Sequence, residues 1–112
     1  MTILKVIALA SVLMLPAITV FAEENSQLVS NLKAGKRQVI VAYGTSLTEV
    51  GDWVNQLQEA LNAKFPKLAT VVNSGMCSMA SPWGVENLDA RVIWKNTDTV
   101  LIEFAINDAY QV

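Results

Sequence analysis

Gln38-Val39-Ile40-Val41-Ala42-Tyr43-Gly44 is the stretch that decides the fold class. From Val39 to Tyr43 every residue is apolar and three are β-branched, with no alternating polar face. That is the pattern of a strand buried on both sides, as in parallel sheets covered by helices. Gly44 ends the run. Outward from it, two further strands are expected: Leu68-Ala69-Thr70-Val71-Val72, broken by the turn residues Asn73-Ser74-Gly75, and Thr99-Val100-Leu101-Ile102-Glu103-Phe104.

Helical spacing fills the intervals. From Asp52, apolar residues fall at Trp53, Val54, Leu57, Ala60, Leu61 and Phe65 along one face, and Pro66 stops the helix. Ser81-Pro82 reads as an N-cap and first helical position, with Val85, Leu88 and Val92 behind it and Asn96 or Asp98 as the close. Upstream, Leu28, Val29 and Leu32 within Glu23 to Ala34 predict a short helix or extended lead-in, capped by Gly35. Strand, helix, strand, helix, strand implies parallel strands with crossovers, hence an open α/β sheet covered by helices.

The whole chain has 112 residues, 53% of them apolar, and a formal charge of -2, which suits a single globular domain. Its 8 Lys and Arg are scattered, so nothing marks a nucleic-acid face. Lys5 precedes an apolar run from Val6 to Val20, and Val20-Phe21-Ala22 offers small residues ahead of Glu23-Glu24. Residues 1–22 therefore read as a secretory signal peptide cleaved after Ala22, against the alternative of an uncleaved anchor; the apolar run is short for a bilayer span. The expected mature domain is 23–112, secreted or periplasmic, with no stable membrane anchor. Cys77 is the only cysteine, so no intramolecular disulfide staples the fold.

Ligands of open parallel sheets bind at the carboxyl ends of the strands. Three short segments fall there: Gly44-Thr45-Ser46-Leu47-Thr48, Asn73-Ser74-Gly75 and Ala105-Ile106-Asn107-Asp108. Ser46 offers a hydroxyl that becomes a nucleophile when a base takes its proton. Gly75 allows close approach of a backbone N–H, and Asn107 carries an amide NH₂, the donor types that hold the oxyanion of an acyl-transfer intermediate. Each also has an ordinary reading: Ser46 as a turn or N-cap residue, Asn-Ser-Gly as a turn, Asn107-Asp108 as a cap.

These three blocks, in this order, resemble those of the SGNH or GDSL-like hydrolases, esterases named for blocks bearing Ser, Gly, Asn and His. The likeness spans Val39 to Tyr110 and extends to Trp83-Gly84-Val85-Glu86-Asn87-Leu88. It implies a three-layer, flavodoxin-like open parallel sheet, with Ser46 as nucleophile and Gly75 and Asn107 as oxyanion donors beside the Ser46 N–H. The implied substrate is a small-molecule ester, of carbohydrate or lipid type, and no cofactor or metal is called for. Thr45 stands where the family has Asp, and Ala105 where it has Gly. The family's Asp-x-x-His block, which supplies the general base, has no counterpart, and the sequence contains no histidine.

The expectation is thus the N-terminal part of an SGNH hydrolase, truncated after the third strand and inactive as it stands. The alternative is a non-catalytic secreted fragment or binding module of the same fold. Asp108 and Glu103 are poor bases for a serine hydroxyl. Asp108 reads as a loop or capping residue, and Glu103 as a polar contact at the strand end. Cys77 reads as a small buried hydrophobe or, less readily, a thiol nucleophile. Trp83 is the best placed substrate-stacking ring of Trp53, Trp83 and Trp94, with Trp53 assigned to the core. Oligomeric state is not encoded in any of these features.

Overall fold

The computed structural model describes residues 26–111, so the leader reading of residues 1–22 lies outside them. Strands β1 (Gln38–Gly44), β2 (Ala69–Asn73) and β3 (Thr99–Glu103) form one parallel sheet in the order β2-β1-β3. Around it run α1 (Gln27–Lys33), α2 (Ser46–Glu49), α3 (Trp53–Lys64), α4 (Ser81–Glu86), α5 (Leu88–Arg91) and α6 (Ala105–Ala109), with a 3-10 turn at Ile93–Lys95. This is an α/β unit with an open parallel sheet, as the apolar runs predict, and its strand order is compatible with a flavodoxin-like arrangement.

β1 lies in the middle and is the most enclosed strand. Its alternate residues supply two separate clusters, because successive side chains point to opposite faces. Ile40 packs with Leu32 of α1 and Ala69, surrounded by Leu61 and Phe65 from α3 and its end. Val41 and Tyr43 pack with Val92 and Phe104, flanked by Trp83 of α4 and Val100. Helices therefore cover both faces.

Three expectations are corrected. The single helix starting at Ser81 is broken into α4, α5 and the 3-10 turn. Asn87 marks the break, donating both its N–H and its side-chain Nδ2 to Trp83 O, so that local side-chain bonding competes with the helical ladder. Ala80, not Ser81, holds the N-cap position. Asn96, at φ 55°, closes the 3-10 turn in the left-handed region that Asn tolerates.

The second correction concerns β3, whose apolar run predicts a buried strand. Leu101 is 39% exposed and Ile102 65%, because β3 has no neighbouring strand beyond it among the described residues. Third, Trp53 is half-buried and lies outside both clusters; its indole N–H donates to Leu47 O at 2.9 Å.

The two edges of the sheet differ. Gln38 N–H donates to Leu68 O and Ser74 N–H to Ala42 O, so alternate β2 residues face β1 and Ala69 and Val71 turn their peptide groups outward. The Gln58 side chain meets both: Val71 N–H donates to its Oε1 at 2.7 Å, and its Nε2 donates to Ala69 O at 2.9 Å. A side-chain amide thus takes the place of a neighbouring strand along β2. No side chain makes such bonds to Val100, Leu101 or Ile102 among the described residues. Nor is any helix among them long and apolar enough to cross a membrane.

Candidate functional site

All three segments read as site-bearing leave the carboxyl ends of the strands. At the exit of β1, Gly44 pairs with Glu103 on β3. A Cβ on residue 44 would lie 2.7 Å from both Glu103 Oε2 and Thr48 Oγ1, so glycine is required by close approach. Into that space the Glu103 carboxylate reaches. It accepts from Thr45 N–H at 3.2 Å, from Thr45 Oγ1 at 2.9 Å and from Thr48 Oγ1 at 3.1 Å. Both threonines are fully buried, and Glu103 is the acceptor that makes their burial tolerable. Glu103 is therefore the polar contact at the strand end that its sequence context predicts.

Thr45 also accepts the Leu47 N–H on its Oγ1 at 3.2 Å and so caps α2. Ser46 becomes the first residue of that helix and is half-buried. Among the described residues, neither its hydroxyl nor its backbone N–H has a hydrogen-bond partner. The N-cap role belongs to Thr45, which leaves the Ser46 side chain free of structural duty.

At the end of β2, Asn73 is a junction. Its Nδ2 donates to Thr48 O at 2.8 Å and to Glu49 O at 3.2 Å, and its Oδ1 accepts the Gly75 N–H at 2.9 Å. Gly75 is buried, and a Cβ there would overlap Glu49 N and lie 2.7 Å from Glu49 Cα. The next residue but one, Cys77, is exposed rather than buried, which corrects its reading as a small core residue. Its N–H donates to Glu49 Oε2 at 2.6 Å. Hydrogen bonding of the thiol to that carboxylate raises the thiol's pKa and lowers that of Glu49. A thiol held protonated in this way is a poor nucleophile.

The loop then crosses to the third segment. Asn107 Nδ2 donates to Met79 O at 2.7 Å, and Asp108 Oδ1 accepts the Ser81 N–H at 2.7 Å, closing the first turn of α4. Residues 74–80 therefore touch α2 on one side and α6 on the other, and link Ser46's helix to Asn107. Asn107 also borders a polar cavity of about 320 Å³ shared with Ser78, Tyr110 and Gln111. A second, apolar cavity of about 180 Å³ lies between α4 and β3, bounded by Tyr43, Val85, Leu88, Ile102 and Phe104.

The tryptophans sit in different surroundings. Trp83 packs at a tilt against Tyr43 and Phe104, with ring centroids at 6.0 and 6.5 Å, and Arg91 lies over it at 5.2 Å. The ring is half-buried against the cluster of Tyr43 and Phe104, which gives it a packing role. Trp94 is exposed on the 3-10 turn.

No protein-family profile, curated protein or solved structure matches this chain. What the site offers is read from its own geometry. Among the described residues it has one hydroxyl and one backbone N–H without partners at Ser46, and an Asn107 amide with one of its two N–H groups committed. Each nearby carboxylate has its own donors: Glu103 the two threonines, Asp108 the Ser81 N–H, Glu49 the Cys77 N–H. Two structural roles were not read from the sequence, those of Asn73 and of the Thr45-Glu103-Thr48 group. Asn two residues before Gly75 is a legible signal for a side chain bonding back to the turn; nothing local pairs Glu103 with threonines 55 and 58 residues away.

Proposed function

We propose that this chain carries the nucleophile and oxyanion portion of an exported serine ester hydrolase of SGNH, or GDSL-like, type, acting on carbohydrate or lipid esters. The observation that supports it most is the state of Ser46. It stands in the first turn of α2 at the carboxyl end of the central strand, with hydroxyl and N–H both unengaged among the described residues. In such a reaction Ser46 Oγ attacks the ester carbonyl carbon and the π electrons pass to the carbonyl oxygen, where nearby N–H donors hold the charge. Collapse of the tetrahedral intermediate expels the alcohol and leaves an acyl-serine, which water hydrolyses.

The hydroxyl proton must go to a base and from there to the departing alkoxide. The sequence has no histidine, and the three carboxylates around the site are held by other donors. No group of this chain is therefore assigned as the base, and the chain alone is proposed to be inactive. The same absence of histidine favours a second reading, a non-catalytic binding module of the same fold.

Added imidazole separates the two. The purified chain is treated with a fluorophosphonate with and without imidazole, and the adduct is located by peptide mass mapping. The hydrolase reading expects a single imidazole-dependent adduct on Ser46, absent in Ser46→Ala. No adduct at Ser46, or label spread evenly over the other serines, overturns it in favour of the binding module.

A further inference from the structure

The proposed acyl-transfer site has three nominal oxyanion donors, yet one of them already has an acceptor. Gly75 N–H points at Asn73 Oδ1 at 2.9 Å. The orientation of that amide is fixed by three partners of opposite demand: Nδ2 donates to Thr48 O and Glu49 O, both acceptors only, while Oδ1 receives an N–H, a donor only. Flipping the amide would set NH₂ against N–H and oxygen against two carbonyls. Freeing the Gly75 N–H therefore requires breaking the ties between β2 and the end of α2 as well.

The glycine itself has a separate explanation. Its Cα lies against the backbone of Thr48 and Glu49, where a Cβ would overlap Glu49 N. Close packing of the loop on α2 demands glycine at 75 whether or not its N–H meets a ligand.

We infer that the oxyanion site is built from two donors, the Ser46 N–H and the Asn107 amide, and that Asn73 is a positioning residue that holds the Gly75 N–H out of it. This rests on the hydrolase reading and changes its geometry. The developing oxygen is then held on the Asn107 side of Ser46 and not over the Gly75 turn. Asn73 also links the end of α2 to the loop that carries Met79, the acceptor of Asn107. One side chain so sets both the excluded donor and the placement of the elements bearing the retained ones.

Nuclear magnetic resonance of the isotope-labelled chain tests this in two steps. In the free protein, a scalar coupling across the hydrogen bond from Gly75 N to Asn73 Cγ and slow exchange of the Gly75 amide are expected. Asn73→Ala abolishes both, and Asn73→Asp, which keeps the acceptor, retains the exchange protection. Fast exchange of the Gly75 amide in the unsubstituted chain overturns the inference without reference to catalysis. In the Ser46 phosphonate adduct, the Ser46 N–H and the Asn107 side-chain NH₂ shift downfield while the Gly75 N–H stays in place. A Gly75 shift as large as theirs overturns the two-donor site and leaves the hydrolase reading standing. Failure of Ser46 to form the adduct removes the hydrolase reading, and with it the oxyanion site.

Discussion

Glu103 fills the space that Gly44 leaves: the two are paired across β1 and β3, and the carboxylate of one lies where a side chain of the other would be. The consequence is thermodynamic coupling. Gly44→Ala sets a Cβ against the Glu103 main-chain carbonyl and also pushes the carboxylate off Thr45 and Thr48, and Glu103→Ala strips those buried hydroxyls of their acceptor, each at a cost of about 1–3 kcal/mol. The double variant is expected to cost less than the sum by the share that both changes take from the carboxylate network, while the clash with the Glu103 main-chain carbonyl persists in it. Urea midpoints for the four proteins measure this, and strictly additive costs would show that the two residues act separately.

Gly75→Ala is expected to destabilise the chain as well as any activity it supports. The added Cβ collides with the backbone of α2, which has no flexible side-chain end to yield. A penalty of about 1–3 kcal/mol is typical of overpacking. In a domain of this size each kcal/mol lowers Tm by roughly 4–8 °C. An unchanged melting curve would mean that the loop does not rest on α2.

Tyr43 predicts how the fold responds to alkali. Burial raises its phenol pKa, an effect opposed by Arg91, and its hydroxyl donates to Gly84 O at 2.7 Å. A folded pKa above the unfolded value gives stability that is complete below the ordinary phenol pKa of about 10 and is lost as pH rises through the folded pKa. Tyr43→Phe is expected to flatten that alkaline decline and to lower stability at neutral pH by about 1–2 kcal/mol through the unpaired Gly84 carbonyl. Denaturation curves from pH 8 to pH 11 read both effects.

Glu49 controls the reactivity of Cys77. Its carboxylate accepts from the thiol and raises the thiol pKa, so alkylation by iodoacetamide should become fast only above the pH at which a free cysteine responds, about 8.5. Glu49→Ala removes the acceptor and the charge, and the alkylation profile should move to lower pH. On the acid side, the lowered Glu49 pKa means that the carboxylate holds the loop above the ordinary carboxylate range and releases it as pH falls through the lowered value. A profile unmoved by Glu49→Ala would sever the link between the two residues.

The sheet was legible because Val39 to Tyr43 needs no partner to announce a strand covered on both faces, and the spacing after Asp52 announces α3 without help from tertiary contacts. Ser46 and Asn107 were likewise legible as segments at strand ends. The break at Asn87 was not, because a side chain that bonds back to Trp83 O looks in sequence like any polar residue on a helix. Nor was the exposure of Ile102, since an apolar run reports what a strand can bury and says nothing of whether a neighbour arrives. Gly75 shows the limit most sharply: its motif is that of a donor, and its N–H is already spent on Asn73.

Gln58 gives the sheet a direction. Filaments made of stacked strands need two sticky edges per molecule, one to receive and one to offer, and the amide on Ala69 and Val71 has closed one of them. Among the described residues, a single glutamine thus makes the two edges of the sheet unlike, so that strand pairing between copies has one open edge, β3, to use.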